Sequence, residues 1–330
     1  MKEEKVFVTG GAGFIGSSLV RQLIDGGRLV TVYDNLSTGA VENLPPDKSM
    51  RFVEGDVRDF GEVCSVMKGH EFVVHLAAQA FVPRSYSFPI QVSETNTIGS
   101  LNVFIACLKN KVKRVVHVSS SEVYGTAENV PIDERQSPNP ASTYAVSKLA
   151  ADLSAQTMAC EHKLPVVIVR PFNTFGPRDT CPRFIPEAIR QCIKEPVVLV
   201  GNTKSSRDYT YIQDTARAIV LALEKEGTDA EVINIGTGKA FEMSGILEMI
   251  KHYTGNEDKE ILLDAERLRP NDPPVLISST TKASKLLGWK PEVEFTEGLR
   301  NTIRWYLRNG KTWAYEKRSW NEQRALEFYG

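Results

Sequence analysis

The chain has few cysteines and no long apolar run. Its 330 residues include five cysteines, at positions 64, 107, 160, 181 and 192, and none of them forms a Cys-x-x-Cys pair. This odd, scattered set argues against a disulfide framework and against structural zinc, and it predicts reduced thiols in a cytoplasmic protein. No stretch reaches the ~20 apolar residues of a membrane span. The first residues, MKEEKVFVTGG, lack the layout of a signal peptide.

The sequence also has almost no excess charge. The formal net charge is −1, and a near-neutral chain exerts no long-range attraction on nucleic acid or an anionic membrane, so we expect neither partner. No cluster of histidine, cysteine and carboxylate residues indicates a metal site. His75 and His117 lie in apolar runs, where we expect them to be core side chains with satisfied hydrogen bonds. The remaining composition is that of a globular protein long enough for two domains.

Apolar, β-branched runs alternate with amphipathic segments through the first half of the chain. The runs that predict strands are 5–10, 29–34, 50–56, 71–78, 114–120 and 165–171. The segments that predict helices are 14–26, 91–110 and 143–162. Such alternation indicates right-handed βαβ units, and strands that are apolar throughout are typical of a sheet covered on both faces. The sequence therefore predicts an α/β fold with a doubly wound parallel sheet.

After about residue 175 the alternation becomes less regular. Helices are expected at 183–193, 214–225, 243–255 and 297–310, and 268–277 is a proline-rich loop. We predict a nucleotide-binding domain over 1–175, with later segments crossing back into it. A smaller substrate domain is predicted over 176–310, and the tail 311–330 has no clear role.

A glycine pattern opens the first predicted helix. In VTGGAGFIGS (8–17), Gly10 permits a tight turn, Gly13 lets the backbone approach a pyrophosphate, and Gly16 lets helix and sheet pack closely. Asp34 ends the second strand, where a carboxylate accepts hydrogen bonds from ribose hydroxyls and repels a 2′-phosphate. The pattern predicts NAD rather than NADP. Asp56 ends the third strand and either reaches the adenine or caps the strand end.

Tyr144 and Lys148 lie four residues apart in STYAVSKLAAD (142–152), on one face of a predicted helix. A tyrosine that acts as a base near neutral pH needs its pKa lowered by about three units, or roughly 4 kcal/mol. A nearby ammonium group and a positive nicotinamide ring both contribute to this. Ser120, at the end of the fifth strand, is placed to donate a hydrogen bond to the reacting oxygen.

Several motifs together resemble the extended short-chain dehydrogenases/reductases that modify nucleotide sugars. The motifs are TGGAGFIG, YDNLSTG, HLAAQA, SSSEVYG, YAVSK, RPFNTFGPR and RDYTYIQD, and the resemblance covers roughly residues 5–310. It implies a Rossmann domain, tightly bound NAD, a small C-terminal domain for the nucleotide-diphosphate sugar, and a homodimer. Tyr144 would take the proton from the sugar O4, Lys148 would hold the nicotinamide ribose, and Ser120 would hydrogen-bond O4.

The same resemblance implies which residues hold the two ligands. The cofactor residues are Gly10, Gly13, Phe14, Ile15, Gly16, Asp34, Asn35, Ser37, Asp56, Val57, Leu76, Ala77, Ala78, Tyr144 and Lys148. The substrate residues are Arg84, Asn173, Arg207, Arg269 and Asp272. Guanidinium groups suit phosphate oxygens, although a surface ion pair is the alternative for Arg207 and Arg269. The dimer interface would use helices 91–110 and 143–162, with Leu101, Phe104, Ile105, Leu149 and Leu153 as possible contacts.

Glu122 distinguishes the possible reactions. Oxidation at C4 acidifies the C5 hydrogen, and a carboxylate within reach can remove it so that water leaves from C6. In the family, 4,6-dehydratases and UDP-glucuronate decarboxylases carry glutamate here, whereas 4-epimerases carry a small or hydroxyl residue. Ser121 stands where some dehydratases have an aspartate as the acid, and HLAAQAFVPRS (75–85) is epimerase-like.

We therefore predict an NDP-hexose or NDP-hexosamine 4,6-dehydratase, with a 4-epimerase as the alternative. Decarboxylation, 5,6-elimination and a non-catalytic NAD-binding scaffold remain lesser possibilities, and Glu122 could instead cap a nearby loop.

Overall fold

The computed structural model describes residues 4–268 and 272–309. The strands are β1 Lys5–Thr9, β2 Leu29–Asp34, β3 Met50–Glu54, β4 Phe72–His75, β5 Arg114–Val118, β6 Val166–Pro171, β7 Asn173–Phe175, β8 Val198–Val200, β9 Ser206–Tyr211, β10 Val232–Ile235, β11 Ala240–Glu242, β12 Ile261–Leu263 and β13 Val275–Leu276. The helices are α1 Phe14–Asp25, α2 Phe60–Val66, α3 Val82–Ser87, α4 Pro89–Ser93, α5 Gly99–Asn110, α6 Thr143–His162, α7 Phe184–Lys194, α8 Ile212–Glu224, α9 Met243–Thr254, α10 Thr281–Leu287 and α11 Phe295–Asn309.

Seven parallel strands form the main sheet, in the order β10-β6-β5-β4-β1-β2-β3. The order reverses between β1 and β4, so the chain winds outward in both directions from that point. In such sheets a crevice opens at the carboxyl ends of the strands where the winding reverses. The predicted α/β fold with a doubly wound parallel sheet is confirmed, and all six predicted strands form.

Strand β10 belongs to this sheet although it comes late in the chain. It pairs parallel with β6 in the register Val232 to Ile168, and α8 packs against α1 on the way to it. A later segment of the chain therefore joins the main sheet. The sequence boundary near residue 175 between two domains stays a prediction.

A smaller group of strands and helices covers the carboxyl edge of the sheet. Strand β9 pairs with β7, β11 and β13, and β8 pairs with β12. An aromatic cluster fills the space beneath them, built around Phe175, Tyr209, Tyr211 and Phe295. Helix α10, which follows the proline-rich loop, was not predicted from the sequence. That loop contains β13, and its residues 269–271 lie outside the described residues, as does the tail 311–330.

The helix expected over 91–110 is divided into α4, a π-helical turn over Glu94–Ile98, and α5. Asn96 in the π turn accepts a hydrogen bond from the Gln79 backbone at 2.8 Å and donates one to the Ser147 hydroxyl at 3.0 Å. A π turn of this kind is often found beside functional sites. Here the buried amide of Asn96 joins the loop after β4 to α6.

Three structural findings bear on the other sequence expectations. None of the helices in the described part of the chain has both the length and the apolar character of a membrane span. Within the same residues no two of the five cysteines form a disulfide bond. The imidazole of His75 is buried and bonds the hydroxyls of Thr9 and Ser100 at 2.7 and 2.9 Å, as expected of a satisfied core histidine.

Candidate active site

A cavity of about 360 Å³ lies along the carboxyl edge of the main sheet and under the smaller strands. One end is lined by the turn between β1 and α1, and the middle by the ends of β4 and β5 and the start of α6. The far end is lined by residues of β9 and the loop before β13. The cavity therefore extends from the first glycine turn to β9.

The glycine turn has space only for hydrogen at two positions. Gly10 has φ +71°, and a Cβ there would lie 2.6 Å from the backbone nitrogen of Ala77. A Cβ on Gly16 would lie 2.2 Å from the carbonyl oxygen of Gly10. Helix α1 therefore begins directly against the turn, and its N-terminal residues Gly13 and Phe14 line the cavity. The unpaired amides and positive dipole end of this helix form a site for phosphate.

Asp34 ends β2 beside this turn with its carboxylate fixed in place. One oxygen accepts a hydrogen bond from the Ala12 amide and the other from the Leu36 amide, both at 2.9 Å. Burial raises the pKa of Asp34, and these two amides act against that effect. The side chain lines the cavity and is 8% exposed. An oriented carboxylate here fits ribose hydroxyls and disfavours a 2′-phosphate.

Most of the expected cofactor residues line the cavity, namely Gly10, Gly13, Phe14, Ile15, Gly16, Asp34, Asn35, Ser37, Val57, Leu76, Ala77, Ala78, Tyr144 and Lys148. Asp56 does not. Its carboxylate accepts hydrogen bonds from the backbone and guanidinium of Arg58 and from Asn35. The Arg58 hydrogen bond is the main reason that the pKa of Asp56 is lowered to about 2. These hydrogen bonds are those of a cap at the end of β3, and the contact of Asp56 with adenine stays a prediction.

Tyr144 and Ser120 meet at the middle of the cavity. Tyr144 is the second residue of α6, whose first turn is capped by the hydroxyl of Ser142 bonded to the Ala145 amide at 3.1 Å. Ser120 follows β5, and its hydroxyl is hydrogen-bonded to the Tyr144 phenol. Burial raises the pKa of Tyr144 to about 12, while the Ser120 hydrogen bond and the positive charge of Arg183 act in the opposite direction.

Lys148 is buried one helical turn further along α6. Its ammonium group donates a 2.7 Å hydrogen bond to the carbonyl oxygen of Val118, at the end of β5. Burial lowers the pKa of Lys148 to about 8, and the charge of Asp152 opposes this shift. The lysine is thus held at the cavity wall rather than in solvent. The amphipathic sequence pattern alone could not distinguish these two positions.

A buried charged network behind Lys148 was missed by the sequence reasoning. Asp152 is fully buried, bonds the guanidinium of Arg170 at 2.9 Å and lies 3.3 Å from the imidazole of His117. Burial acts to raise the pKa of Asp152, but the adjacent His117 imidazole and the charge of Arg170 outweigh it and lower that pKa. Neither ring nitrogen of His117 makes a hydrogen bond to the described residues, so the expectation of a satisfied core histidine is wrong at this position. The spacing of Tyr144, Lys148 and Asp152, four residues apart along one helical face, was the available signal.

Glu122 and Ser121 line the same cavity beside Tyr144. They belong to a 3-10 turn over Ser121–Tyr124 that is capped by Ser120, whose hydroxyl accepts a hydrogen bond from the Glu122 amide at 3.2 Å. Ser120 therefore supplies the cap of this turn. The Glu122 carboxylate acts on the Tyr144 phenol, since its negative charge raises the pKa of that residue.

Three of the expected substrate residues, Asn173, Arg207 and Asp272, line the cavity toward β9. Arg207 is buried and pairs with Asp272 at 2.6 Å, and Asn202 also bonds Asp272 at 3.1 Å. The predicted arginine thus lies in the cavity wall and not on the outer surface. Nearby, Arg267 lines the cavity too and pairs with Asp264 and Glu187; the sequence analysis did not single it out.

Arg84 is not among the residues that line the cavity. It lies in α3 with its guanidinium over the ring of Phe88, 5.0 Å from the ring centre. The contact of Arg84 with the substrate stays a prediction. Arg269 lies outside the described residues.

Two charged residues of the loop before α7 complete the wall near Tyr144. Asp179 and Arg183 both line the cavity, and their side chains pair at 2.7 Å. Their only sequence signal was their position after the RPFNTFGPR motif.

Across residues 4–268 and 272–309, no cluster of three or more histidine, cysteine or acidic side chains has the arrangement to hold a metal ion.

The sequence matches one protein-family model over residues 7–302, and that model is described as GDP-mannose 4,6 dehydratase. The dTDP-glucose 4,6-dehydratase of Streptomyces niveus is 34% identical over 320 residues, which are 94% of this chain and 94% of that protein.

Two solved structures share the fold over most of the chain. DesIV, a dTDP-glucose 4,6-dehydratase from Streptomyces venezuelae solved with NAD bound, superposes with a TM-score of 0.89 at 32% identity, covering 94% of this chain and 99% of that one. The UDP-N-acetylglucosamine 4-epimerase of Methanobrevibacter ruminantium gives 0.87 at 34% identity, covering 94% and 100%. The similarity thus extends to two reaction types that share one fold.

Proposed function

The chain belongs to the GDP-mannose 4,6-dehydratase family within the extended short-chain dehydrogenases/reductases, and we propose that it is a nucleotide-sugar 4,6-dehydratase. It is an NAD-dependent enzyme that acts on nucleotide-diphosphate sugars. The proposed reaction oxidises the sugar at C4 and then eliminates water to leave a 4-keto-6-deoxy sugar. A 4-epimerase is the second candidate, because an epimerase is among the similar structures.

The residues present fit NAD at the β1–α1 end of the cavity. The turn of Gly10 and Gly16 leaves no space for side chains, so the start of α1 is open to phosphates, and Asp34 offers a fixed carboxylate for ribose. Bound at these residues, NAD would supply a hydride acceptor for C4 and then a hydride donor for C6, and with a proton returned to C5 this gives the 4-keto-6-deoxy sugar.

Tyr144 is the proposed base of the first step. It removes the proton from the C4 hydroxyl, while Ser120 holds the same oxygen by a hydrogen bond. The phenol is buried beside Ser120, whose hydrogen bond acts to lower the pKa of Tyr144. Lys148 lies one helical turn away on the same face of α6, with its ammonium group bonded to Val118, and is proposed to favour the phenolate by its positive charge.

Glu122 is the residue on which the choice of a dehydratase over an epimerase rests. Its carboxylate lines the cavity, and its negative charge raises the pKa of Tyr144. Glu122 is therefore proposed to face the same part of the sugar as Tyr144, the base for O4. The ketone at C4 makes the C5 hydrogen acidic, and Glu122 is proposed to remove it. The C5–H electron pair forms the C5–C6 double bond as the C6 hydroxyl leaves, with one added proton, as water. Ser121 lines the cavity beside it and is proposed to take part in that proton's delivery.

The nucleotide diphosphate is proposed to bind at the β9 end. Arg207, Asn173 and Asp272 line that end, and a guanidinium buried beside one carboxylate is fixed in orientation for phosphate oxygens. Arg269 is proposed to join them, and Arg84 to support the wall through α3. In this proposal, residues 176–310 serve as the substrate domain and 1–175 as the NAD-binding domain.

We also propose a cytoplasmic homodimer. Five large apolar side chains on α4, the π turn, α5 and α6 are each at least 39% exposed, namely Ile90, Ile98, Ile105, Val146 and Leu153. Phe104, which was expected on this face, is instead buried and packs edge-on against His75 and His117. A second copy of the chain would cover the exposed group.

Replacement of Glu122 by glutamine tests the dehydratase directly. The variant keeps the shape of the side chain and cannot accept the C5 proton, so product should form ~10²–10⁴-fold more slowly. Oxidation at C4 needs only Tyr144, Lys148 and Ser120. Reduced cofactor should therefore accumulate when the substrate is present among dTDP-, UDP-, GDP- and CDP-sugars added in turn. Absorbance measures the reduced cofactor, and mass spectrometry measures the product.

Tyr144→Phe is the matched control, because it should block both cofactor reduction and product formation. If Glu122→Gln turns over at nearly the wild-type rate, C5 keeps its proton and the enzyme is a 4-epimerase. The mass of the product distinguishes the two independently, since dehydration removes water and epimerisation leaves the mass unchanged.

A further inference from the structure

The turn that carries Glu122 is anchored by a side chain that does not line the cavity. Tyr124 is the last residue of the 3-10 turn Ser121–Tyr124, and it is fully buried with its ring centre 6.5 Å from that of Phe172. Its hydroxyl donates a 2.8 Å hydrogen bond to the side-chain oxygen of Asn234 on β10. The end of the turn is therefore tied to the edge strand of the main sheet.

The same hydroxyl accepts a hydrogen bond from a buried arginine. Arg170 lies on β6, between β5 and β10, and one of its terminal nitrogens donates to the Tyr124 oxygen at 2.9 Å. Its Nε donates to the carboxylate of Asp152 on α6, also at 2.9 Å. Arg170 is 4% exposed and Asp152 is 0% exposed, so the pair is held away from water. One guanidinium thus joins the turn after β5 to the helix that carries Tyr144 and Lys148.

The shape of the arginine lets one residue hold both partners. A guanidinium is planar and presents its N–H groups in fixed directions. In Arg170, Nε bonds the helix and a terminal nitrogen bonds the turn, while the central carbon lies 4.9 Å from the centre of the Tyr124 ring. Because both contacts are buried, breaking either one leaves an N–H group of the guanidinium without a partner, which is costly. The contacts therefore hold α6 and the turn at a fixed separation.

We propose that Arg170 and Tyr124 are positioning residues that set the place of Glu122 relative to Tyr144. The inference rests on the proposed function, in which Glu122 removes the C5 proton and Tyr144 removes the proton of the C4 hydroxyl. These protons belong to neighbouring positions of one sugar ring, so their two bases must keep a constant separation. Glu122 lies on the turn and Tyr144 on α6. The contacts of Arg170 connect these two elements behind the cavity.

The test is Tyr124→Phe in the NAD-loaded protein, which keeps the ring and removes only the hydroxyl. Tyr144 and Lys148 stay on α6 and Ser120 stays directly after β5, so cofactor reduction should run near the wild-type rate. Elimination should slow roughly 10–100-fold, because a misplacement of about 1 Å can cost ~10²-fold in rate. Reduced cofactor should therefore accumulate. The probe is the member of the dTDP-, UDP-, GDP- and CDP-sugar panel that the wild type converts, with absorbance for the cofactor and mass spectrometry for the product.

Arg170→Lys tests the other end of the same contact. A lysine keeps the positive charge beside Asp152 but has no planar fork to reach both partners. It should produce the same imbalance between cofactor reduction and elimination. The double variant Arg170→Lys/Tyr124→Phe should eliminate water no more slowly than the slower single variant, because both changes break one contact. Fully additive losses would show that the two residues act separately and would overturn the inference.

Thr228→Val is the matched control, because it also removes a hydroxyl that bonds a buried arginine. Arg114, the first residue of β5, donates to the Thr228 hydroxyl at 2.8 Å, at the opposite end of that strand from the turn. Both steps should run at wild-type rates in this variant.

Two results for Tyr124→Phe would overturn the inference. One is elimination at the wild-type rate. The other is equal slowing of both steps, since the residue would then support the fold and not the separation of the bases. If Glu122→Gln itself forms product at the wild-type rate, the proposed function fails and the inference with it, and that result is read from a different variant.

Discussion

At the scale of single residues, the site holds an ammonium group where the fold disfavours charge. Lys148 is 2% exposed, and burial lowers its pKa from 10.5 to about 8. The shift corresponds to about 3 kcal/mol of lost stability for the charged form. Asp152, four residues away, limits this cost by holding a negative charge nearby. The position of the lysine thus reflects its proposed role in the site rather than stability of the fold.

This predicts that Lys148→Met stabilises the protein while it abolishes cofactor reduction. Because the pKa is lower in the folded state, the unfolded chain binds more protons between about pH 8 and 10.5, so wild-type stability rises with pH in that window. The variant should therefore gain up to about 3 kcal/mol in the free energy of unfolding near pH 7, and this gain should vanish above about pH 10.5. Denaturant unfolding of both NAD-free proteins across this range measures it.

Lys113→Met provides the comparison, since Lys113 is a surface lysine paired with Glu71. It should show no such gain at neutral pH. A Lys148→Met protein that is less stable than the wild type at every pH would show that the Val118 hydrogen bond outweighs the cost of burying the charge.

At the scale of the element, the start of α1 depends on close backbone contact. Gly16 is the third residue of this helix, and its Cα faces the carbonyl of Gly10, which has positive φ. The same contact opens the helix end toward the cavity. Packing of the helix and formation of the phosphate site are therefore one structural requirement.

Gly16→Ala should damage both together. The added methyl would lie 2.2 Å from the Gly10 oxygen, so the turn must move. We expect a loss of about 1–3 kcal/mol in stability, and at least a roughly tenfold weaker NAD affinity because the amides no longer converge on the phosphates. Calorimetry of NAD binding and denaturant unfolding measure the two effects.

Gly245→Ala is a control in a matching position, because Gly245 is the third residue of α9 and no atom would lie within 4 Å of its Cβ. There the alanine should leave NAD affinity unchanged and slightly stabilise the helix. Equal effects at both glycines would mean that the close contact at α1 does not control the site.

At the scale of the whole molecule, helices α5 and α6 share an exposed apolar face. Helix α6 also carries Tyr144 and Lys148. Ile105 and Leu153 are 39% and 53% exposed, whereas the opposite side of α6 holds the buried network of Asp152. Association through this face would protect the helix that positions the proposed base. Assembly and activity are then coupled through one element.

Leu153→Glu should give a monomer at micromolar concentration, because a charge would be buried in the interface. Light scattering measures the mass, and wild-type protein should be a dimer. Leu263→Glu introduces the same charge at a side chain that is 70% exposed on β12, away from α5 and α6, and should leave the dimer intact. A monomeric wild type would exclude the proposed assembly.

The sequence by itself determined the parts of this protein that depend on local pattern. Alternating apolar runs predicted the parallel sheet, and the glycines at 10, 13 and 16 together with Asp34 predicted the NAD site, because each follows from backbone geometry within a few residues. The spacing of Tyr144 and Lys148 predicted a shared helical face for the same reason. Glu122 was identified by its place directly after a strand end, where side chains of parallel sheets meet ligands.

The tertiary structure decided which distant side chains share the cavity. Arg183 and Asp179 are some forty residues from Tyr144 in the chain, and no local pattern relates them to it; only the return of the loop over the sheet edge brings their charges together. It also placed Phe104 in the core, because burial depends on what packs against a residue and not on its neighbours in sequence. Charge interactions act through space, so their partners become known only when the chain is folded.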